Sequence, residues 1–281
     1  MTTLNWIITG ASKGFGRALA EAALAAGDTV VAAVRNPDSI ADLAGDALLP
    51  VRHDARDTAA AATLVDAALE RFGRLDVLVN NAGRGLIGAV EEVGDAQLRD
   101  LMDLHLFGPA ALVRAALPAL RARRGGTIVQ MSSQGGRISF PGVSAYSASK
   151  FALEGWSEAL AAEVAPFGIR VLLVEPSRFR TAFNAELEFT EVAAEYRDAL
   201  AAMRADMAGV DGAQEGDPAQ AAAIIVRLAH SEEVPLRLPL GGEAVERLTA
   251  GYRRDLAEVE RWAETARSAD FADAAPAVRP F

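Results

Sequence analysis

Short apolar runs alternate with alanine-rich stretches of helical periodicity from one end of the chain to the other, and no feature restricts its fold more. The runs span 4–9, 29–34, 48–52, 75–80, 127–132, 169–175 and 236–240 and read as strands. Between them, 14–26, 58–72, 96–121, 145–166 and 218–230 repeat apolar residues with the period of a helix, and their ends are suitable, as where Asp217 caps ahead of Pro218. Strand and helix in succession require parallel pairing with helices covering both sheet faces. The expected fold is α/β, a doubly wound parallel sheet of about seven strands with helices on both faces.

A length of 281 residues, 51% of them hydrophobic, suits a single domain of this kind with a large core. The segment 180–211 breaks the alternation with a mixed polar and apolar helical pattern just after a strand end, and reads as a substrate lid or as a packed helix pair. From Gly242 a charged helix is expected to run to Phe271, ahead of a loose Ala/Pro tail that completes 242–281. There is no cysteine, and His53, His105 and His230 lack the spacing of metal ligands, so neither thiolate nor metal chemistry is implied. A net charge of −10 opposes binding to a phosphate backbone, which excludes nucleic acid as the expected partner. No apolar stretch of roughly 18 residues is free of charges or turn signals, and the first begins too early to follow a signal peptide. No membrane association is expected, and the expected location is the cytoplasm.

Thr9-Gly-Ala-Ser-Lys-Gly-Phe-Gly16 joins the first strand to the first helix. There Gly10, Gly14 and Gly16 permit a tight turn and close backbone approach to a pyrophosphate at the helix N-terminus, with Ser12, Lys13 and Phe15 completing the loop. The spacing departs from the common Gly-x-Gly-x-x-Gly fingerprint. Lys13 lies in this loop and Arg35 just past the second strand, where an acid would otherwise meet the ribose hydroxyls. Two cations there suit a 2′-phosphate, which favours NADP(H) over NAD(H).

Tyr146 and Lys150 are four residues apart and so share a helix face, which lets the ammonium favour the ionised phenol. Bringing a tyrosine from pKa near 10 to about 7 takes roughly 4 kcal/mol, and one close cation at intermediate dielectric supplies about that much. Together with Ser133, the pair describes a tunable proton donor.

The order Thr9-Gly10-x3-Gly14-x-Gly16, Asn80-Asn81-Ala82-Gly83, Ser133 and Tyr146-x3-Lys150 resembles the short-chain dehydrogenase/reductase family, in its shorter subgroup, over residues 4–240. The resemblance implies a Rossmann-like sheet and a site in which Tyr146 is the general acid for ketone reduction. Lys150 would bind the nicotinamide ribose and lower the Tyr146 pKa, and Ser133 would hydrogen-bond the substrate carbonyl. It also implies that Asp54 contacts adenine, that Asn81, Ala82 and Gly83 line the cofactor ribose, and that Pro176 to Thr181 hold the nicotinamide amide.

Two positions depart from the family pattern. Pro176 is followed by Ser177 where a glycine is usual, and His105 stands where the family's fourth catalytic residue is an asparagine. His105 is read either as a proton relay or as a buried packing residue. The expected reaction interconverts a carbonyl and a secondary alcohol with NADP(H), the substrate being a small hydrophobic molecule met by Phe140 and Phe183. A catalytically silent NADP(H)-binding sensor and a reductase of a carrier-bound ketone are the alternatives. Pairing of the helix bearing Tyr146 and Lys150 would make a homodimer or homotetramer.

Overall fold

The protein is described here by a computed structural model covering residues 2–43, 45–271 and 274. Its first half runs β1 (Asn5–Thr9), α1 (Gly14–Ala25), β2 (Thr29–Val34), β3 (Leu48–Arg52), α2 (Ala61–Phe72), β4 (Val77–Asn80), β5 (Leu86–Ile87), α3 (Asp95–Met102) and α4 (Gly108–Ala122). The second half continues with β6 (Gly126–Met131), α5 (Ser144–Val164), β7 (Ile169–Pro176), β8 (Glu188–Phe189), α6 (Arg197–Gly209), α7 (Pro218–Ala229), β9 (Arg237–Leu240) and α8 (Gly242–Arg267). Seven strands form one parallel sheet in the order β3-β2-β1-β4-β6-β7-β9.

Alternate side chains of each central strand enter different cores. Trp6 and Ile8 of β1 pack with α1 and α7 through Leu19, Ala23 and Ile225. Ile7 points the other way, onto Leu64 of α2, Val113 of α4 and Leu160 of α5. Every residue of β1 is buried, which accounts for an apolar run without polar alternation. The chain leaves β1 toward β2 and β3 on one side and returns to β4 on the other, so the sheet opens a crevice at the carboxyl ends of β1 and β4.

The helix expected over 96–121 is divided. A π-turn over Asp103–Phe107 lies between α3 and α4 and carries His105 inward. It is followed by close packing at Gly108, where a methyl group would run into the Ala55 carbonyl oxygen. The two-residue strands β5 and β8 were not expected, because elements so short leave no periodicity to read. They pair Leu86 with Glu188 and Ile87 with Phe189, tying the segment 180–211 across the mouth of the crevice. α8 ends at Arg267 rather than Phe271. It is anchored through Ala244, Leu248 and Gly251 and is exposed over nearly all of its length beyond them. The tail, Ala274 apart, lies outside the described residues.

Because the Ala55 backbone has little room to yield, Gly108→Ala should lower the unfolding free energy by about 2–3 kcal/mol. Urea unfolding checks this, and a variant as stable as the parent would show that Ala55 moves aside.

Candidate active site

Loops leaving β1, β4, β6 and β7 meet around a cleft of about 640 Å³. Gly10, Ser12, Lys13, Gly14 and Phe15 line one end, with Arg35 and Asp54 beside them. Gly10 and Gly14 have φ of 66° and 55°, which suits glycine, and a Cβ on Gly10 would lie 2.9 Å from Ala82 Cα. Gly16 does not line the cleft; it is buried where any side chain would strike the Gly10 carbonyl, so its role is to seat α1 under the turn. The N-terminus of α1 has no side-chain cap and no acid in its first turn. Unpaired N–H groups at such an end form an anion site, and this fits the pyrophosphate of a dinucleotide.

Asn81 secures the opposite wall by donating from Nδ2 to the Thr9 carbonyl at 2.8 Å, while its N–H donates to Thr9 Oγ1 at 2.9 Å. Ala82 and Gly83 continue that wall. Asp54 binds Arg56 at 2.7 Å, which brings its carboxyl down to about 2, with Arg35 adding a smaller pull. Arg35 is exposed and makes no ion pair among the described residues, whereas Lys13 is paired with Glu186. Thr181 lies against Gly14, and it lines the cleft together with Pro176.

Ser133, Tyr146 and Lys150 come together at the centre. Ser133 Oγ accepts the Gly135 N–H at 3.0 Å, which leaves its own proton to donate into the cleft. Gly135 admits both groups, since its absent Cβ would lie 3.3 Å from Ser133 Oγ and 3.3 Å from Tyr146 Cε1. Lys150 is 5% exposed, and its ammonium donates to the Met131 carbonyl at 2.8 Å. Burial lowers its pKa to about 8 against the opposing charge of Glu154. The Tyr146 phenol is pushed up by burial and drawn back by a hydrogen bond to Ser133. The Lys150 nitrogen lies 5.9 Å from the Tyr146 ring centre, and the expected acidification by this cation does not emerge: burial sets the direction of the phenol's shift and Ser133, not Lys150, opposes it.

His105 is 1% exposed and both of its ring nitrogens are engaged. Ser149 Oγ donates to the Tyr146 carbonyl at 2.7 Å, so it accepts from His105 Nδ1–H at 2.8 Å. Nε2 accepts the Arg84 N–H at 3.3 Å, which assigns the neutral tautomer. Burial, reinforced by Lys150 and Arg84, holds this imidazole well below its ordinary pKa. The arrangement makes His105 a brace between the first turn of α5 and the wall after β4.

The short chain dehydrogenase family profile matches residues 5–191. The chain belongs to that family. The oxidoreductase BOA17 of Botryotinia fuckeliana is 36% identical over 272 residues, covering 93% of this chain and 97% of its own. A short-chain dehydrogenase from Streptomyces avermitilis superposes with a TM-score of 0.90 at 46% identity, over 96% of this chain and 100% of that one. The 3-ketoacyl-(acyl-carrier-protein) reductase of Brucella melitensis, solved with NADH, gives a TM-score of 0.73 at 26% identity, over 86% and 98%. This short-chain dehydrogenase is therefore an oxidoreductase on a nicotinamide-cofactor-binding fold.

The apolar end of its cleft contains the expected Phe140 and Phe183, the latter 6.1 Å from the Tyr146 ring, edge-on. It also contains Leu187, Met203 and Met207, which sequence reasoning did not single out. The two methionines, four apart on α6, share a face, a spacing that was available to read. Arg84 left no such signal. It binds Asp100 at 2.8 Å and Glu188, joining α3 to β8, while Arg56 joins Asp100 to Asp54.

If His105 is a neutral brace, His105→Asn should leave the pH dependence of kcat between about pH 5.5 and 7.5 unchanged. His105→Phe, which abandons both partners, should lower kcat. Disappearance of an inflection in the Asn variant would return the titration to His105.

Proposed function

We propose that this chain is an NADP(H)-dependent oxidoreductase that interconverts a carbonyl and a secondary alcohol, with Tyr146 as general acid in reduction and general base in oxidation. The supporting observation is the convergence of the Ser133 hydroxyl and the Tyr146 phenol on one point of the cleft, with the Lys150 ammonium behind them. Ser133 donates a hydrogen bond to the substrate oxygen and holds the carbonyl toward Tyr146, which gives up its proton as negative charge develops. Phe140, Phe183 and Leu187 exclude water and select an apolar substrate.

The nicotinamide cofactor, when bound, supplies or accepts the hydride. The turn from Gly10 to Gly14 and the uncapped start of α1 would hold its pyrophosphate, Asp54 the adenine end, Asn81 to Gly83 the ribose, and Pro176 to Thr181 the carboxamide. Lys150 would bind the nicotinamide ribose. Lys13 and Arg35 both line the cleft; on this reading they meet the adenosine end, where two cations favour a 2′-phosphate. Exposed Ala148, Phe151, Gly155 and Ala159 on α5 support pairing of two such helices in a dimer.

NADPH oxidation measured over ketones, aldehydes and a carrier-bound 3-ketoacyl thioester tests the reading. Cofactor binding without turnover on any of them would make the protein a sensor. On an accepted substrate, Tyr146→Phe should lower kcat by about two to four decades while NADPH still binds; near-parental turnover rejects the assignment. Arg35→Asp should reduce the kcat/KM preference for NADPH over NADH about ten-fold or more, equivalent to about 1.4 kcal/mol. An unchanged ratio would leave Arg35 a surface charge.

A further inference from the structure

One turn beyond Lys150 on α5, Glu154 is 4% exposed, and Glu175 on β7 is 0% exposed. Neither lines the cleft. A single guanidinium nitrogen, Arg237 Nε, approaches both carboxyls and so sets them side by side, yet Glu154 Oε1 and both Glu175 oxygens have no hydrogen-bond donor among the described residues. Carboxylates only accept, so the pair can share a hydrogen bond only when one of the two carries a proton.

More cationic groups lie against Glu154 than against Glu175. Arg237 on β9 reaches Glu154 Oε2 at 3.2 Å and Glu175 Oε1 at 3.6 Å, and it also binds Glu158 at 3.0 Å. Arg137, after β6, approaches Glu154 at 3.7 Å and rests over the Tyr252 ring of α8. On the other side is Lys150. A Cβ on Gly136 would meet Ser132 Oγ, Glu154 Cγ and Lys150 Cβ all within 3.2 Å, so the lysine and glutamate leave α5 against the same small space.

We propose that Glu154 and Glu175 share a single proton held by Glu175, and that the Glu154 carboxylate so preserved keeps Lys150 an ammonium. Both are positioning residues, and their effect on Tyr146 rests on the function proposed above. The directions in which burial and neighbouring charge move Glu175 and Lys150 agree with this division. Burial and the Glu154 charge raise Glu175 to about 7 against the pull of Arg137 and Arg237. Glu154 opposes the burial that lowers Lys150 to about 8. His105 has no part in it, since both of its nitrogens are taken.

The pair is testable without a substrate. A native carboxyl held above its ordinary 4.5 binds a proton that the unfolded chain releases, so its contribution to stability is complete below about pH 4.5 and is lost as pH rises through about 7. Glu175→Gln keeps the shape of the protonated acid and removes this loss. Between about pH 5 and 8 the urea midpoint of the parent should fall relative to that of the variant. Lysine side-chain NMR should show the Lys150 titration lowered by about one unit in Glu154→Gln, but not in Glu158→Gln, which removes an exposed partner of the same arginine. Should Glu154→Gln fail to fold, Glu154→Asp keeps the charge and should hold Lys150 near its parental titration, where a one-unit fall would overturn the link. Parallel stability profiles for the parent and Glu175→Gln would overturn the shared proton, and an unmoved Lys150 in Glu154→Gln would overturn its control by Glu154. An unsuccessful carbonyl panel would reject the proposed function and leave these readings standing.

Discussion

An ammonium 5% exposed to solvent is the demand around which the carboxyl end of this sheet is arranged. Burial takes away the water that would stabilise a lysine's charge, and only oxygen atoms set in fixed positions replace it. The Met131 carbonyl at the end of β6 supplies one, and Glu154 supplies a full charge from the next turn of α5. Arg137 and Arg237 stand beside Glu154, and Glu175, pushed up by burial, is the carboxyl that takes up the proton. A separate set of bonds fixes the N-terminal part of α5. Ser149 bonds the Tyr146 carbonyl and His105 bonds Ser149, so the backbone that carries the phenol is held by two hydrogen bonds in series.

The wall formed by 180–211 is fastened unequally. Arg204, Glu92 and Thr190 form a largely buried set, and β5 pairs with β8 through backbone bonds. Across the glycine-rich turn, the ion pair among the described residues is that of Lys13 with Glu186, both about half exposed. An ion pair that open to water contributes roughly 0–1 kcal/mol, so Lys13 can leave Glu186 at little cost while the buried base of the segment stays in place. Met203 and Met207 line the cleft from this wall, and their unbranched side chains can adapt to ligands of different shape.

The strands and helices of the alternating core were legible because each buries a long run of apolar residues with a regular period, and β1, β2, β3 and α7 fall within a residue or two of where that period places them. The four motifs were legible for a different reason. Glycine at a left-handed turn, and a tyrosine and lysine on one helix face, owe their usefulness to local geometry that spacing alone defines. The chain's own residues thus determined the class of fold, the family and the central trio Ser133, Tyr146 and Lys150. What those residues experience was decided elsewhere. That His105 is neutral depends on Ser149 and Arg84, 44 and 21 positions away. That Glu154 and Glu175 meet depends on α5 packing against β7, and that Lys13 meets Glu186 depends on a chain crossing 173 positions later. Charge and burial are properties of neighbours in space, and no period or spacing along the chain records which distant carboxyl will face a given lysine.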